Sequence, residues 1–283
     1  MEKIAIVTDS TSDLKQEDLE KYDIRSLPLK VNFAEEQYLD RVDITPAQVY
    51  EAMEEEIPTT SMPSPQEIED LYTELKEEGY THIISLHISG GLSATCDNCR
   101  MVAAEMEGIE VEVIDSRMLS MGLGRLVLYA RKLLDNEELS FSEILEKIRE
   151  KRSEIEIYFV VKTLKYLKEG GRIGKVSGTL GELLSVKPII SIDEEGEYFT
   201  AEKVRGRARS IAKMASIIED KLEEGREYFL DVMHADAEDE AEKLREKFAD
   251  MPSIREIFLG EISPVMVVHA GPGLLGMCLT EVY

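Results

Sequence analysis

Three short apolar runs, Lys3 to Thr8 (KIAIVT), His82 to Ile88 (HIISLHI) and Val111 to Ile114 (VEVI), each give way to polar residues and then to a helix-patterned stretch. Runs of this length read as buried strands, and parallel neighbours need a helical crossover between them. The repeated order of strand, helix and strand points to a parallel, doubly wound sheet in the first half of the chain. The strands end in Asp9-Ser-Thr-Ser-Asp13, Ser89-Gly-Gly-Leu-Ser-Ala-Thr95 and Asp115-Ser116. Carboxyl ends of parallel strands are where α/β proteins place their sites.

Caps and periodicity supply the helices. One follows Asp13 through Tyr22. Thr45-Pro46 opens another, with proline at its first position, reaching about Glu56. Gln66 to Glu78 carries Ile68, Leu71, Tyr72 and Leu75 on one face. Cys96 to Met106, Met118 to Leu134 and Ser142 to Arg152 complete the set, with Gly122 and Gly124 allowing close backbone approach. Ile24 to Phe33 holds a second strand region, to which Tyr38-Leu39 returns as a hairpin. Pro58 to Pro65 is too rich in proline for a helix or a central strand.

From Ile157 the pattern loosens. Tyr158 to Val161 is a strand, and Thr163 to Lys168 a short helix ended by Gly170-Gly171-Arg172. Leu180, Leu183, Leu184 and Val186 form one apolar helical stripe, stopped by Pro188. Ile189 to Ile192 and Tyr198 to Val204 read as paired strands across Asp193-Glu-Glu-Gly196. Helix and strand then alternate: Arg207 to Glu223, Tyr228 to His234, Ala237 to Phe248 and Glu256 to Leu259. Ile262 to Thr280 lacks Asp, Glu, Lys and Arg, but Pro264, Gly271, Pro272, Gly273 and Gly276 interrupt it. A buried strand, a turn and a second buried segment fit it better than a membrane span. The expected fold is therefore α/β, with a parallel-sheet domain over residues 1–155 and a mixed-sheet α/β domain over 156–283.

The formal net charge of -25 opposes binding to nucleic acid or to an anionic membrane, both of which require clustered cations. MEKIAIVTDS enters a strand directly and has no secretory pattern, and three cysteines are too few for a disulfide framework. A cytoplasmic protein with reduced thiols is expected, without cofactor or metal.

Several local motifs lead elsewhere. Asp9-Ser-Thr-Ser-Asp13 suggests a phosphatase, but a haloacid-dehalogenase-type site needs a second Asp where Thr11 stands. The plainer reading has Asp9 accepting backbone hydrogen bonds and Asp13 capping a helix. Gly271-Pro-Gly273-Leu-Leu-Gly276 matches G-x-G-x-x-G but lacks the helix and distant acid of a dinucleotide site, so it reads as a tight turn beside His269. Cys96-Asp-Asn-Cys99 reads as two core-facing cysteines rather than a redox or zinc pair. Arg205-Gly-Arg207-Ala-Arg209 is the one dense basic cluster, suited to an anion or an acidic partner. Thr60, Ser61, Ser93 and His269 sit by Pro- or Gly-rich turns and could together hold a carboxylate. There is no Ser-His-Asp spacing, Walker sequence or H-E-x-x-H.

Taken together, the chain resembles the DegV family over nearly its whole length. The matching segments are VTDSTSDL (7–14), TTSMPSP (59–65), GLSAT (91–95), VIDS (113–116), MGLG (121–124), LKYLKEGGRIGKVSGTLGELLSVKPII (164–190), RGR (205–207) and HAGPGLLG (269–276). The resemblance implies two α/β domains with a lipid cavity between them and one bound long-chain fatty acid. It also implies a non-catalytic role as the binding subunit of a fatty acid kinase, presenting the carboxylate to a separate ATP-using subunit and carrying the acyl phosphate toward phospholipid synthesis. On that analogy Thr60, Ser61, Ser93 and His269 surround the carboxylate, while Arg172 and Arg205 stand at the cavity mouth for the phosphate or for kinase docking. Any membrane contact would be transient. The chain departs from the family pattern at Met62, where Gln is expected, and in Ser89-Gly-Gly-Leu-Ser-Ala-Thr95.

Burying about fourteen methylenes at ~0.8 kcal/mol each gives roughly 11 kcal/mol gross, against about 1.5–3 kcal/mol for each hydrogen bond to a charged head. The tail supplies affinity and the polar cluster orientation. Met101, Met118, Met121, Met266 and Met277 are available to line an adaptable tunnel. The competing readings are a stand-alone phosphatase using Asp9 and a lipid sensor with another protein partner.

Overall fold

The computed structural model describes residues 2–179 and 186–283. Its first half runs β1 (Ile4–Asp9), α1 (Gln16–Lys21), β2 (Ile24–Leu27), β3 (Lys30–Asn32), β4 (Gln37–Leu39), α2 (Pro46–Ala52), β5 (Thr59–Ser61), α3 (Pro65–Glu77), β6 (His82–His87), α4 (Thr95–Ala103), β7 (Glu110–Asp115), α5 (Ser120–Leu133) and α6 (Phe141–Lys151). The second runs β8 (Ile155–Val160), α7 (Lys165–Glu169), β9 (Val186–Ile192), β10 (Tyr198–Arg205), α8 (Arg207–Lys221), β11 (Tyr228–His234), α9 (Glu238–Phe248), β12 (Ile254–Glu261), α10 (Pro264–Ala270) and β13 (Leu275–Glu281). Thr45, Ser64 and Ser140 form capping boxes that start α2, α3 and α6, and proline opens α2 and α3.

The parallel sheet is present in the order β2-β1-β6-β7. The second half forms a mixed sheet in the order β10-β9-β8-β13-β11-β12, where β11 and β12 run parallel and the other pairs antiparallel. A small antiparallel sheet, β4-β3-β5, completes the described strands. We propose the division into residues 1–155 and 156–283, at the passage from α6 to β8.

Some local expectations change. The proline-rich segment, as expected, gives neither helix nor central strand, but it does contribute β5, a three-residue edge strand paired with β3, because its prolines flank the strand. Ile24 to Phe33 divides between two sheets. Pro264 begins a helix, not a strand, since its fixed φ suits a first helical turn. Asp13 does not cap α1, whose N-cap is Lys15 without a side-chain bond. The stripe at Leu180, Leu183 and Leu184 lies outside the described residues, and Val186 starts β9. Among the described residues, no helix is long and apolar enough to cross a membrane.

Helix α5 lies between the two larger sheets, touching β1 and β6 on one side and β8 and β13 on the other. Every residue from Ser120 to Val127 is buried, as a helix covered on all sides requires. Gly124 is obligatory, because a Cβ there would stand 2.6 Å from Ser12 O. One hydrophobic cluster runs through both halves, from Ile6 and Leu86 to Ile157, Met266 and Cys278.

Buried charges also join the halves. Arg125 on α5 grips Asp231 on β11, with Nε 2.9 Å from Oδ2 and Nη2 2.6 Å from Oδ1. Asp13 accepts from Arg41 Nη2 (2.7 Å), Ser120 Oγ (2.6 Å) and the Ser263 backbone N–H (2.9 Å). Asp40 accepts from the Val265 N–H at 3.0 Å. Burial pushes the Asp13 carboxyl up and that of Asp40 to about 6. Removing one member of a buried pair leaves the other uncompensated, typically at about 3–5 kcal/mol. Asp231→Ala is expected to lose about that much stability in urea unfolding, and Arg125→Met with Asp231→Leu to recover most of it.

Candidate functional site

Between the two halves lies a narrow apolar cavity of about 60 Å³. Its apolar wall includes Leu29, Ile88, Phe159, Met233, Met266 and Met277. Thr60, Ser93, Arg172 and His269 are polar members of the same wall. Four separate stretches deliver them: β5, the turn before α4, the loop after α7, and the last turn of α10.

Strand β5 pairs with β3 so that Val31 stands opposite Thr60 and Lys30 opposite Ser61. Side chains alternate along a strand, so neighbouring residues point to opposite faces. Thr60 Oγ1 lies 2.8 Å from His269 Nε2. Ser61 Oγ instead accepts from Asn32 Nδ2 at 3.2 Å and, unlike the other three, is not among the residues that line the cavity.

His269 is held in an unusual setting. Its Nδ1 is buried with no hydrogen-bond partner. Gly170 backs it so closely that a Cβ at that position would lie 2.3 Å from Nδ1. Burial, and then the nearby Arg172 charge, lower its pKa to about 4, so the imidazole is neutral at physiological pH. An unpaired buried N–H is rarer and costlier than an unfilled acceptor. From this network we assign the proton to Nε2, which then donates to Thr60 Oγ1. The Thr60 hydroxyl hydrogen is left free to donate into the cavity.

Arg172 Nε donates to Leu92 O at 3.1 Å and Nη1 to Gly170 O at 2.6 Å. A guanidinium carries five N–H donors, so these two bonds fix the group and leave others for a ligand. Ser93 Oγ accepts from Thr95 N–H at 3.3 Å and lies 2.8 Å from Thr95 Oγ1. Arg205 ends β10 on the exposed surface and is absent from the cavity wall. Arg207 from the same cluster forms a forked pair with Glu240, at 2.9 Å from Nε to Oε1.

The methionine expectation holds for Met266 and Met277. Met101 is instead exposed, while Met118 and Met121 are buried in the core away from the cavity wall. Met233 belongs to the wall and was not singled out from sequence, because it sits in an ordinary apolar strand.

Asp9 is fully buried and accepts backbone N–H groups of Thr11 (3.0 Å) and Ile88 (2.9 Å), as the plainer reading expects. A further donor is His87 Nδ1 at 3.0 Å, and His87 Nε2 lies 2.7 Å from Ser85 Oγ. A Ser-His-Asp series thus exists that sequence spacing concealed. All three side chains are buried and Ser85 Oγ is also 2.8 Å from Tyr72 OH, so no substrate reaches the serine. This enclosure gives the Asp9 phosphatase reading no exposed nucleophile. Cys96 and Cys99 are buried on α4 as core residues. Gly271 and Gly273 have φ of +73° and +88° and form the tight turn between α10 and β13, where Tyr166 and Lys162 crowd them.

A small, partly charged polar cluster at one place in a narrow apolar cavity suits a ligand with an anionic head and an apolar body. Comparison with known proteins gives a concordant picture. The family model described as uncharacterised protein, DegV family, matches residues 3–282. A DegV domain-containing protein of Clostridium acetobutylicum is 46% identical over 284 residues, covering 99% of this chain and 100% of the relative. A DegV family protein from Thermus thermophilus, whose structure is described as showing fatty acid binding, superimposes with a TM-score of 0.92 at 34% identity, over 99% of this chain and 100% of that one. DegV of Bacillus subtilis, described as a fatty acid binding protein, gives a TM-score of 0.92 at 32% identity with both chains covered in full. The chain belongs to the DegV family.

Proposed function

We propose that the protein binds one long-chain fatty acid in the cavity between its halves. The carboxylate takes hydrogen bonds from Thr60 and Ser93, with His269 setting the direction of the Thr60 hydroxyl and Arg172 supplying the opposite charge. The observation that carries this reading is the convergence of Thr60, Ser93, Arg172 and His269 on one otherwise apolar wall. Ser61 supports β5 through Asn32 and takes no part in the head site.

A cavity of about 60 Å³ holds a handful of waters, at roughly 10–15 Å³ for each. A long acyl chain therefore enters by spreading the walls. Met233, Met266 and Met277 are the side chains best able to yield, because an unbranched thioether has three soft torsions.

The bound carboxylate is presented to a separate ATP-dependent kinase, and the protein carries the acyl phosphate onward to phospholipid synthesis in the cytoplasm. Arg205, exposed at the end of an edge strand, serves docking rather than the head site. The chain itself is not catalytic in this scheme. A lipid sensor with another protein partner is the alternative that a pull-down distinguishes.

Three measurements test the scheme. Native mass spectrometry is expected to find one fatty acid per chain, with Ser93→Ala retaining it about 10- to 100-fold more weakly, as loss of a hydrogen bond to a charged head implies, and His269→Ala also retaining it more weakly because the Thr60 hydroxyl is no longer directed. Full retention in both variants removes the assigned head site. For the free protein, the unfolded imidazole of residue 269 takes up a proton below about pH 6.5 while the folded one resists until about 4. Folded-state stability therefore declines as pH falls through that window, by about 3 kcal/mol in all, and His269→Gln should lack this part of the decline in pH-dependent unfolding. Finally, a pull-down should recover an ATP-binding kinase, and Arg205→Glu should weaken its capture without loss of bound lipid.

A further inference from the structure

Thr11 and Ser120 also line the cavity, yet neither offers its hydroxyl hydrogen to the interior. Thr11 Oγ1 donates to Asp9 Oδ1 at 2.5 Å, and Ser120 Oγ donates to Asp13 Oδ2 at 2.6 Å. Both carboxylates are buried, Asp9 at 0% and Asp13 at 2% exposure. Neither can turn away. Asp9 is held by the Thr11 and Ile88 N–H groups and by His87, whose ring is itself fixed through Ser85 to Tyr72. Asp13 is held by Arg41 and by the Ser263 N–H.

A hydroxyl has a single hydrogen, and once it is given to a carboxylate it is lost to any ligand. What Thr11 then offers the cavity is its methyl group. Thr60 is the opposite case, since its partner His269 donates to it and leaves its hydrogen free. Along α10, Ser263 beside Asp13 and His269 beside Thr60 are six residues, or about 9 Å, apart. Two regions of one wall, both carrying hydroxyl residues, thus differ in polarity because of what stands behind them.

We infer that Asp9 and Asp13 are specificity-determining residues: by withdrawing the hydroxyl hydrogens of Thr11 and Ser120 they make that wall apolar and assign it to the ligand's tail. The two acids of the Asp9-Ser-Thr-Ser-Asp13 motif thereby acquire a role in orienting the ligand. The inference rests on the fatty-acid reading above.

Equilibrium binding of stearate and of decanoate to the delipidated full-length protein tests it, with circular dichroism confirming the fold of each variant. Asp9→Ala should weaken stearate about tenfold by releasing the Thr11 hydroxyl, and adding Thr11→Val should restore most of that loss. In the otherwise native chain, Thr11→Ser removes one methyl group and should bind stearate about fourfold more weakly than the native protein, while Thr11→Val should bind it about as well as the native protein. Stearate should suffer more than decanoate from Asp9→Ala. A double variant no better than Asp9→Ala, or Thr11→Ser binding as well as Thr11→Val, overturns the inference. The Thr11 pair decides alone if Asp9→Ala does not fold. Failure of the native protein to bind stearate or decanoate overturns the fatty-acid reading itself, and the tail assignment with it.

Discussion

Helix α10 begins on carboxylates that belong to the other half of the molecule. The N–H of Ser263 is bonded to Asp13 and that of Val265 to Asp40. A helix N-terminus carries unpaired donors and a partial positive charge, so two buried acids there satisfy both needs at once. Those acids are buried at a cost, visible in the upward displacement of both carboxyls. They remain because an unfilled helix start inside the protein would cost more. Since His269 stands at the far end of this same seven-residue helix, the placement of the imidazole depends on contacts made at the opposite terminus, across the boundary between halves.

Helix α5 performs a complementary task. It is covered on every side, so its orientation is set by packing rather than by a single amphipathic face. Arg125 adds direction to that packing by reaching Asp231 in the other sheet and resting 4.3 Å from the centroid of the Phe229 ring. Hydrophobic contact alone tolerates sliding, while a forked guanidinium pair does not. The hairpin between β9 and β10 is a third tie, with Ser89 Oγ donating to Gly196 O and Arg117 to Glu194 O. The two halves are therefore held in a defined relation by polar contacts as well as by apolar packing.

Much of this was legible in the amino-acid order. The parallel sheet followed from apolar runs separated by helix-length segments, and Thr45-Pro46 marked a helix start, while the caps Ser64 and Ser140 emerge only from the structure. Thr60, Ser93 and His269 could be singled out because they sit beside glycine and proline turns, and Arg172 through the family resemblance; all four line the cavity wall. What could not be read was direction. Whether Thr60 or Ser61 faces the cavity is a matter of β5 register, and the two residues look alike in sequence. The helical form of Pro264–Ala270 was hidden because a short, fully buried helix has no periodicity to distinguish it from a strand. Ser85, His87 and Asp9 meet only because β1 and β6 are neighbours, 78 residues apart in the case of Asp9 and His87.

Gly170 lies against the imidazole nitrogen of His269, and Gly271 against the ring of Tyr166. Helices α7 and α10 thus interlock through two missing side chains, each helix contributing a ring and receiving one on a neighbouring glycine. The imidazole cannot enlarge or shift unless the opposite backbone moves, and any residue larger than glycine at position 170 displaces it. The polar corner is therefore fixed by the spacing of two backbones, since a methyl group at either glycine would have to displace the ring that rests on it.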